Sequence, residues 1–544
     1  MTASIKSKTD YIIVAAIVLF VLWQGSIFAV QYILVAILLL SSLALSKKPL
    51  KITLNVLLLT AMAIIMLLSL IFLAGSFHTA LLEWLRYLLW PLLLLFCLNH
   101  DAKRMETGIY MACLAVALIG ILAYAGMISL PYAIVAESGR LQSTIQYANT
   151  TALLMMVGII YAIHSWLEDR RWQHLLMATL FTVTLLLTGS RSSFLITAFL
   201  ALLFIFIQLK QKQRLIAAAG MALLIIAVFA SNLRIGMIYL SSPTLMERLI
   251  TYQDALHTLK SSTIQGIGIG NWQWQQYIHQ SAPYSVCYIH NYYLQILLDG
   301  GLLALILFLT VLVSGLVNAW KKRDRHFYVL LAVALHISVD FDMAFAAIIL
   351  IFMYSLSQVQ DKTIKELEMG RYRHLLWLPV LALIPLWCSQ WYYQRSMSYL
   401  AEAEYAKSKR ACEQSICFNP FNSQAYYNMA CSLEDMDAAR LYLETAIEKD
   451  PHDMDARELL LHFDMAAGNY MAVISGAETL LEARRFSRTY RLLYEEALYL
   501  AAMNGLLSET EMAEKIALQD MRTEDVNHLY TQYIEPFVVT AYGH

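Results

Sequence analysis

Five stretches place side chains able to do chemistry beside apolar sequence. They are ESGRLQSTIQYANTTALL around Arg140, LLLTGSRSSFLITAFL around Arg191, SSPTLMERLITYQDALHTLK around Arg248, SVCYIHNYYLQILLDGG around His290 and Asn291, and LHISVDFDMAF with His336, Asp340 and Asp342. A guanidinium beside a dry interior binds phosphate through a two-pronged fork; equally, an arginine there can anchor a helix by reaching to the interface. A histidine at neutral pH can take a proton from a hydroxyl, although a lone histidine is commonly a satisfied structural group. Arg248 opens a helical pattern with Leu249, Tyr252, Leu256 and Leu259, so a plain surface charge is its simplest reading. Ionisable groups at membrane depth are costly and usually functional or paired. Asp340 and Asp342 are expected in an outer turn, either solvated or holding an arginine or the histidine.

The elements that must position these groups are apolar helices. Charged residues make up 15% of the chain and hydrophobic ones 59%, against roughly 25% charged in ordinary soluble domains. A helix crosses a bilayer in about 20 apolar residues. Candidate spans lie near 11–24, 27–46, 53–74, 84–98, 108–128, 150–166, 174–189, 193–209, 215–231, 300–319, 327–340, 343–358 and 375–390. The centres of the first nine carry almost no charge. The expected fold class is all-α: a polytopic transmembrane helical bundle of about 11–13 spans, over residues 1–390, followed by a soluble α-helical, tetratricopeptide (TPR)-like hairpin array over 391–544.

Alternate loops differ in basic content. One set, from Lys6 and Lys8 through Lys47, Lys103, Arg170, Lys210 and Lys321 to Arg373, holds 20 lysines and arginines; the other holds six, namely Arg86, Arg140, Arg191, Arg234, Arg248 and Lys260. The positive-inside bias puts the N-terminus in the cytoplasm, behind a signal anchor that is not cleaved. The long segment 232–299 and the region after residue 390 then lie outside. IQGIGIGNW, 264–272, sits in no βαβ unit, so its glycines make a tight turn against neighbouring helices instead of a dinucleotide site. The seven cysteines include no CxxC pair; one disulfide among Cys412, Cys417 and Cys431 is possible outside the cell membrane.

In the C-terminal region Asn419-Pro420 and Asp450-Pro451 repeat at a period of 31. Helix-spaced small and aromatic residues between them resemble tetratricopeptide repeats over about 397–505. Such pairs serve as a stabilising cap or as a docking surface for an acceptor, a glycan or a protein.

GRLQSTIQYANTTALLMM, TGSRSSFL, ERLITYQDALHTLKSSTIQGIGIGNW, HNYYLQILLDGGLLALILF and HISVDFDM occur in the order seen in the O-antigen ligase and polymerase superfamily, and the resemblance covers roughly 50–360. It implies a multi-pass bacterial inner-membrane glycosyltransferase of lipopolysaccharide biosynthesis that moves a glycan from undecaprenyl pyrophosphate to an acceptor hydroxyl at the periplasmic face. O-antigen ligation to lipid A–core leads the alternatives, ahead of polymerisation or protein O-glycosylation. The resemblance implies no cofactor and no metal. It assigns the donor pyrophosphate to Arg191 and Arg248, and the acceptor hydroxyl to His290, as catalytic residues. Arg140, Asn149, Asn291 and Asp340 are the substrate-binding expectations. The chain departs from the family at Tyr252-Gln253 and Ala148-Asn149, where tryptophan and Pro-Asn are common. A lipid-linked oligosaccharide transporter is the reading from another class; it would place polar groups near the midplane of repeated halves.

Overall fold

The computed structural model describes residues 2–46, 48–208, 243–360 and 363–518. The candidate span 215–231, the basic residues Lys210, Lys212, Arg214, Arg234, Lys47 and Lys362, and the tail 519–544 lie outside the described residues.

Apolar runs of 16–31 residues form most of the bundle: α1 (Thr2–Leu22), α2 (Ala29–Leu45), α3 (Leu54–Leu73), α4 (Phe77–Asn99), α5 (Ala102–Tyr124), α6 (Ala148–Asp169), α7 (Trp172–Leu187) and α8 (Arg191–Gln208). An amphipathic outer segment follows with α9 (Pro243–Leu259) and α10 (Trp272–His279), then α11 (Tyr292–Lys322), α12 (His326–His336), α13 (Ala346–Val359) and α14 (Trp377–Ala401). Among the described residues six helices are long and apolar enough to cross a membrane, and six shorter apolar helices accompany them. The chain is a multi-pass membrane protein.

α13 sits at the centre: Ala346 to Leu356 are buried without interruption. That explains why AAIILIFMYSL has no polar face, since a helix surrounded on all sides is apolar all round. It packs on α4, α11 and α12, while α1 packs on α5 and α3 on α4 and α11. α11 starts at Tyr292, eight residues before the expected span, and is kinked at Gly301, where the 263–265 backbone packs so closely that a Cβ would lie 2.1 Å from the Ile264 carbonyl.

The loops grouped by basic content meet one another. Arg373 donates to the Lys48 carbonyl at 2.7 Å, Lys322 to the Val359 and Gln360 carbonyls, and Arg325 pairs with Glu106 at 2.7 Å. There β1 (Leu50–Ile52) pairs antiparallel with β2 (Lys365–Leu367), a small addition to the all-α expectation. Arg86, counted among the outer-loop residues, belongs to no loop. It is buried inside α4, ion-paired with Glu83, so that span is not charge-free.

Six further helices follow: α15 (Tyr405–Phe418), α16 (Ser423–Cys431), α17 (Met436–Lys449), α18 (Met454–Ala466), α19 (Tyr470–Ala483) and α20 (Arg488–Met503). Each packs on the next. The 31-residue repeat has a physical basis: Asn419 and Asp450 end α15 and α17, and Asn422 and Asp453 begin α16 and α18. Cys412, Cys417 and Cys431 are free thiols. Cys412 is buried beside Ser396 and Ser408, Cys417 is exposed, and Cys431 bonds Tyr427, so the expected disulfide is not formed.

Burial raises the Asp453 carboxyl to about 6, against the backbone bond from Ala456 that lowers it. A carboxyl raised in the folded state binds protons more tightly there than when unfolded, so stability falls as pH rises from about 4 to about 6. Asp453→Asn keeps a good helix cap and is expected to flatten that dependence and raise the melting temperature at pH 7.5, as read by thermal unfolding across pH 4–8.

Candidate active site

The site is built on the turn between α12 and α13, which brings Asp340 to full burial. The Asp340 carboxylate accepts from the Tyr147 hydroxyl at 2.8 Å, Asn149 Nδ2 at 2.6 Å and the Phe341 backbone N–H at 2.9 Å. It also faces Arg248 Nη2 and His290 Nδ1, each at 3.3 Å. Burial by itself would raise its pKa. The His290 hydrogen bond, with the charges of His290, Arg248 and His336, instead holds it well below the usual carboxylate range. Asp340 is therefore an anion held inside protein, not a solvated surface acid. The same neighbourhood pushes the Tyr147 hydroxyl well up, through burial first and Asp340 second.

His290 hangs at the end of the outer segment, which has its own apolar core of Ala255, Leu259, Ile267, Trp272, Tyr284 and Ile289. Buried Asp254 fastens it, accepting from the Ser281 N–H and hydroxyl at 2.8 Å and from the Tyr284 hydroxyl at 2.9 Å. The glycine turn joins it to the bundle. Gly266 has φ +79°, and a Cβ there would meet the Leu298 carbonyl at 2.5 Å, so only glycine fits. Tyr252, one turn after Arg248, donates to the His290 carbonyl and fixes the histidine backbone. With Nδ1–H donating to Asp340, the neutral imidazole would present Nε2 as an acceptor.

Arg140 crosses from the 125–147 connection: Nε donates to the Thr188 carbonyl at 2.8 Å and Nη2 to Asn149 Oδ1 at 2.7 Å. Among the described residues no carboxylate pairs with it within ion-pair distance. Burial lowers its pKa, Tyr147 and Asp340 oppose that, and the positive charges of Arg248 and Arg191 add to the lowering. Arg140 is thus repelled by the Arg248 and Arg191 charges near one buried carboxylate, which favours an incoming anion. Arg140, Tyr147, Asn149, Glu247, Arg248 and His290 line a recess of about 220 Å³. Arg191 is not among the lining residues; it is exposed at the first residue of α8, two residues after Gly189, where an added Cβ would lie 3.3 Å from the Arg140 stem, and its charge acts on Arg140.

A second buried chain ties the α7–α8 break to the same turn. Thr150 donates to Asp342 at 2.7 Å, Asp342 faces His336 Nδ1 at 2.5 Å, and His336 Nε2 meets the Ser193 hydroxyl at 2.7 Å. His336, Asp342 and Ser193 are buried, so they position the Arg191 turn and do not reach solvent. Tyr147 and Glu247 belong to the neighbourhood yet carry no sequence signal of their own, and Tyr252 shows in the sequence only as helical spacing and a departure from the family; aromatic residues near an interface look like anchors. Asn291 stands apart from the others. Its side chain accepts from the Leu294 N–H at 3.1 Å and caps α11. Asn291→Ala is expected to lower stability by about 1 kcal/mol and Asn291→Ser to retain it, as denaturant unfolding in detergent would show.

No curated protein matches the chain. Residues 175–309, about a quarter of its length, match the family described as O-antigen ligase. The match spans Arg191, Arg248, His290 and Asn291 and excludes Arg140, Asn149 and Asp340. Over this stretch the chain, a multi-pass membrane protein with its recess at the loop end of a helical bundle, is similar to the O-antigen ligase family.

Proposed function

We propose that the recess transfers a glycan from undecaprenyl pyrophosphate to an acceptor hydroxyl, at the periplasmic face of the bacterial inner membrane, with the N-terminus inside. The observation that carries this reading is the convergence of Arg248 and His290 on Asp340 in one recess with Arg140, which also feels the Arg191 charge. Arg191 and Arg248 take the pyrophosphate, with Arg140 and Asn149 on the donor headgroup. The acceptor oxygen forms its bond to the anomeric carbon as the carbon–oxygen bond to pyrophosphate breaks. The acceptor proton passes to His290 Nε2, and the leaving undecaprenyl pyrophosphate carries the negative charge into the arginines. Fixed cations aimed at a leaving group are worth about 10²–10³ in rate each.

Lipid A–core is the acceptor we favour. A second reading, protein O-oligosaccharyl transfer, draws on the C-terminal helices docked against the outer segment, where Trp274 stacks on His452 at 3.6 Å. The test supplies purified protein with lipid-linked glycan and, in turn, lipid A–core, a peptide pool or no second acceptor. Product on lipid A–core supports ligation. Lengthened lipid-linked chains would make the protein a polymerase, and glycopeptide a protein glycosyltransferase. Intact donor under every condition overturns the transfer reading.

A further inference from the structure

A second recess, about 340 Å³, lies between the outer segment and the C-terminal helices. Its size falls within the range of small-ligand pockets, about 300–1,000 Å³. Gln273 and Trp274 form one side, and Gln424 and Tyr427 of α16 the other, with Asp453, Asp455 and Arg484 also lining it. Planar amides and carboxylates can each engage two neighbouring hydroxyls, and aromatic faces cover C–H surface. Sugars offer both kinds of surface at once.

The lining is divided between groups that build the recess and groups left over. Asn271 has no spare capacity. Its oxygen accepts from the Gly75 N–H and from Trp274 Nε1, and its amide donates to the Leu73 and Ile267 carbonyls. Trp274 is thereby fixed, with its ring flat against His452 at an interplanar angle of 3°. Arg484 is likewise held over the Tyr277 ring at 4.1 Å. By contrast, the side-chain amides of Gln273 and Gln424 make no hydrogen bond within the protein among the described residues. A pre-set frame with uncommitted amides suits a polyhydroxylated ligand, because little ordering is left to do on binding.

Charge narrows the class. Asp450, Asp453 and Asp455 line the recess against the single cation Arg484, so an acidic sugar is repelled and a neutral or amino sugar is accepted. Placement narrows the role. Ser76 and Thr79, at the start of α4, line this recess. Further along α4, Glu83 accepts from the Tyr288 hydroxyl at 2.6 Å, and Tyr288 stacks on Phe341, whose ring also meets His290. Thr79 to Arg86 is about 10 Å of helix at 1.5 Å per residue. The two recesses are therefore joined through α4 and the Tyr288–Phe341–His290 contacts.

We propose that the recess between the outer segment and the C-terminal helices is a second glycan subsite, taking a neutral or amino sugar remote from the reacting bond. The inference rests on the glycan-transfer reading above, and the shared chemistry fits a sugar of either the donor or the acceptor chain.

The test is binding without turnover. The full chain in lipid nanodiscs is titrated with maltotriose, chitotriose, the deacetylated chitosan trimer and trigalacturonate by saturation-transfer NMR. The expected result is binding of at least one of the first three, none of trigalacturonate, and an about tenfold loss in Gln424→Ala. Gln424 is exposed and unbonded, so this variant folds normally; Trp274→Ala serves as the stronger lesion, and His290→Ala is expected to bind as wild type. Absence of binding for all three neutral and amino probes, equal binding in Gln424→Ala and Trp274→Ala, or preference for trigalacturonate overturns the subsite. A transfer assay run alongside separates the two ideas. Binding with its variant dependence but without transfer sinks only the catalytic reading, and transfer without this binding sinks only the subsite. A raised KM for long-glycan donor in Gln424→Ala, with kcat for a single-sugar donor unchanged, assigns the subsite to the donor chain. A raised KM for the acceptor assigns it to the acceptor chain, and no change in either overturns it.

Discussion

His290→Ala is expected to lower glycan transfer at least about 100-fold while the lipid-linked donor still binds, because general base catalysis contributes about 10²–10⁴. The argument is geometric. Nδ1 faces Asp340, which leaves Nε2 on the recess side, and the Tyr252 hydroxyl pins the histidine carbonyl. The side chain is one-fifth exposed and touches Phe341 and the buried Asp340, so its removal costs stability through Asp340, and thermal unfolding of the variant is read beside its turnover. A fall in kcat with KM for the donor unchanged would mark an interaction made in the transition state. Equal loss of donor affinity would move His290 from base to donor ligand, and wild-type turnover would remove it from the mechanism.

Asp340→Asn is expected to harm both stability and transfer. The carboxylate is wholly buried and serves Tyr147, Asn149, Arg248 and His290 together. An amide keeps the shape but presents a donor to a ring of donors and removes the counter-charge. Breaking a buried ion pair costs about 3–5 kcal/mol; Arg248 and His290 are each about one-fifth exposed, so partial hydration of the stranded groups puts the loss toward the low end. Transfer falls as well, because the histidine loses the bond that orients it. Acid behaviour separates this from a generic lesion. A carboxyl held below its ordinary pKa stabilises the fold at every pH above the unfolded value near 4, and that stabilisation is lost only as pH falls below it. The wild type should lose this contribution on acidification, and Asp340→Asn should have none to lose. Thermal unfolding from pH 7 to pH 3 reads the difference.

Much of the bundle is legible in the sequence because bilayer thickness leaves helices few choices. The twelve described apolar helices fall on twelve of the expected stretches, and the thirteenth stretch lies outside the described residues. Arg140 and Arg248 stand out because they oppose the charge bias of their loops, and His290 because it stands at the lip of an apolar span, and the folded chain brings these three to one recess. Asp340 was visible as an acid between two spans, but its burial was not, since a turn between spans reads equally well as solvated. The Thr150–Asp342–His336–Ser193 chain was invisible as a unit: its bonds join residues 192 and 143 positions apart as well as near neighbours. The buried Glu83–Arg86 pair had a local signal, opposite charges three apart in an apolar run, and was obscured because Arg86 lies near a span boundary. The repeat at Asn419 and Asp450 was readable because helix ends have strong chemical preferences. Where those helices dock was not, since that depends on contacts such as Asn419 with His78 across 341 residues.

The central claim is that the arginine-rimmed recess holds the donor's pyrophosphate. The most direct measurement is a cryo-electron microscopy structure of the protein in nanodiscs with a non-transferable undecaprenyl-pyrophosphate glycan. The account predicts pyrophosphate density among Arg140, Arg191 and Arg248, with the first sugar's anomeric carbon toward His290. Pyrophosphate density at the opposite, lysine-rich end of the bundle, or on the outer face but away from these three arginines, would contradict it.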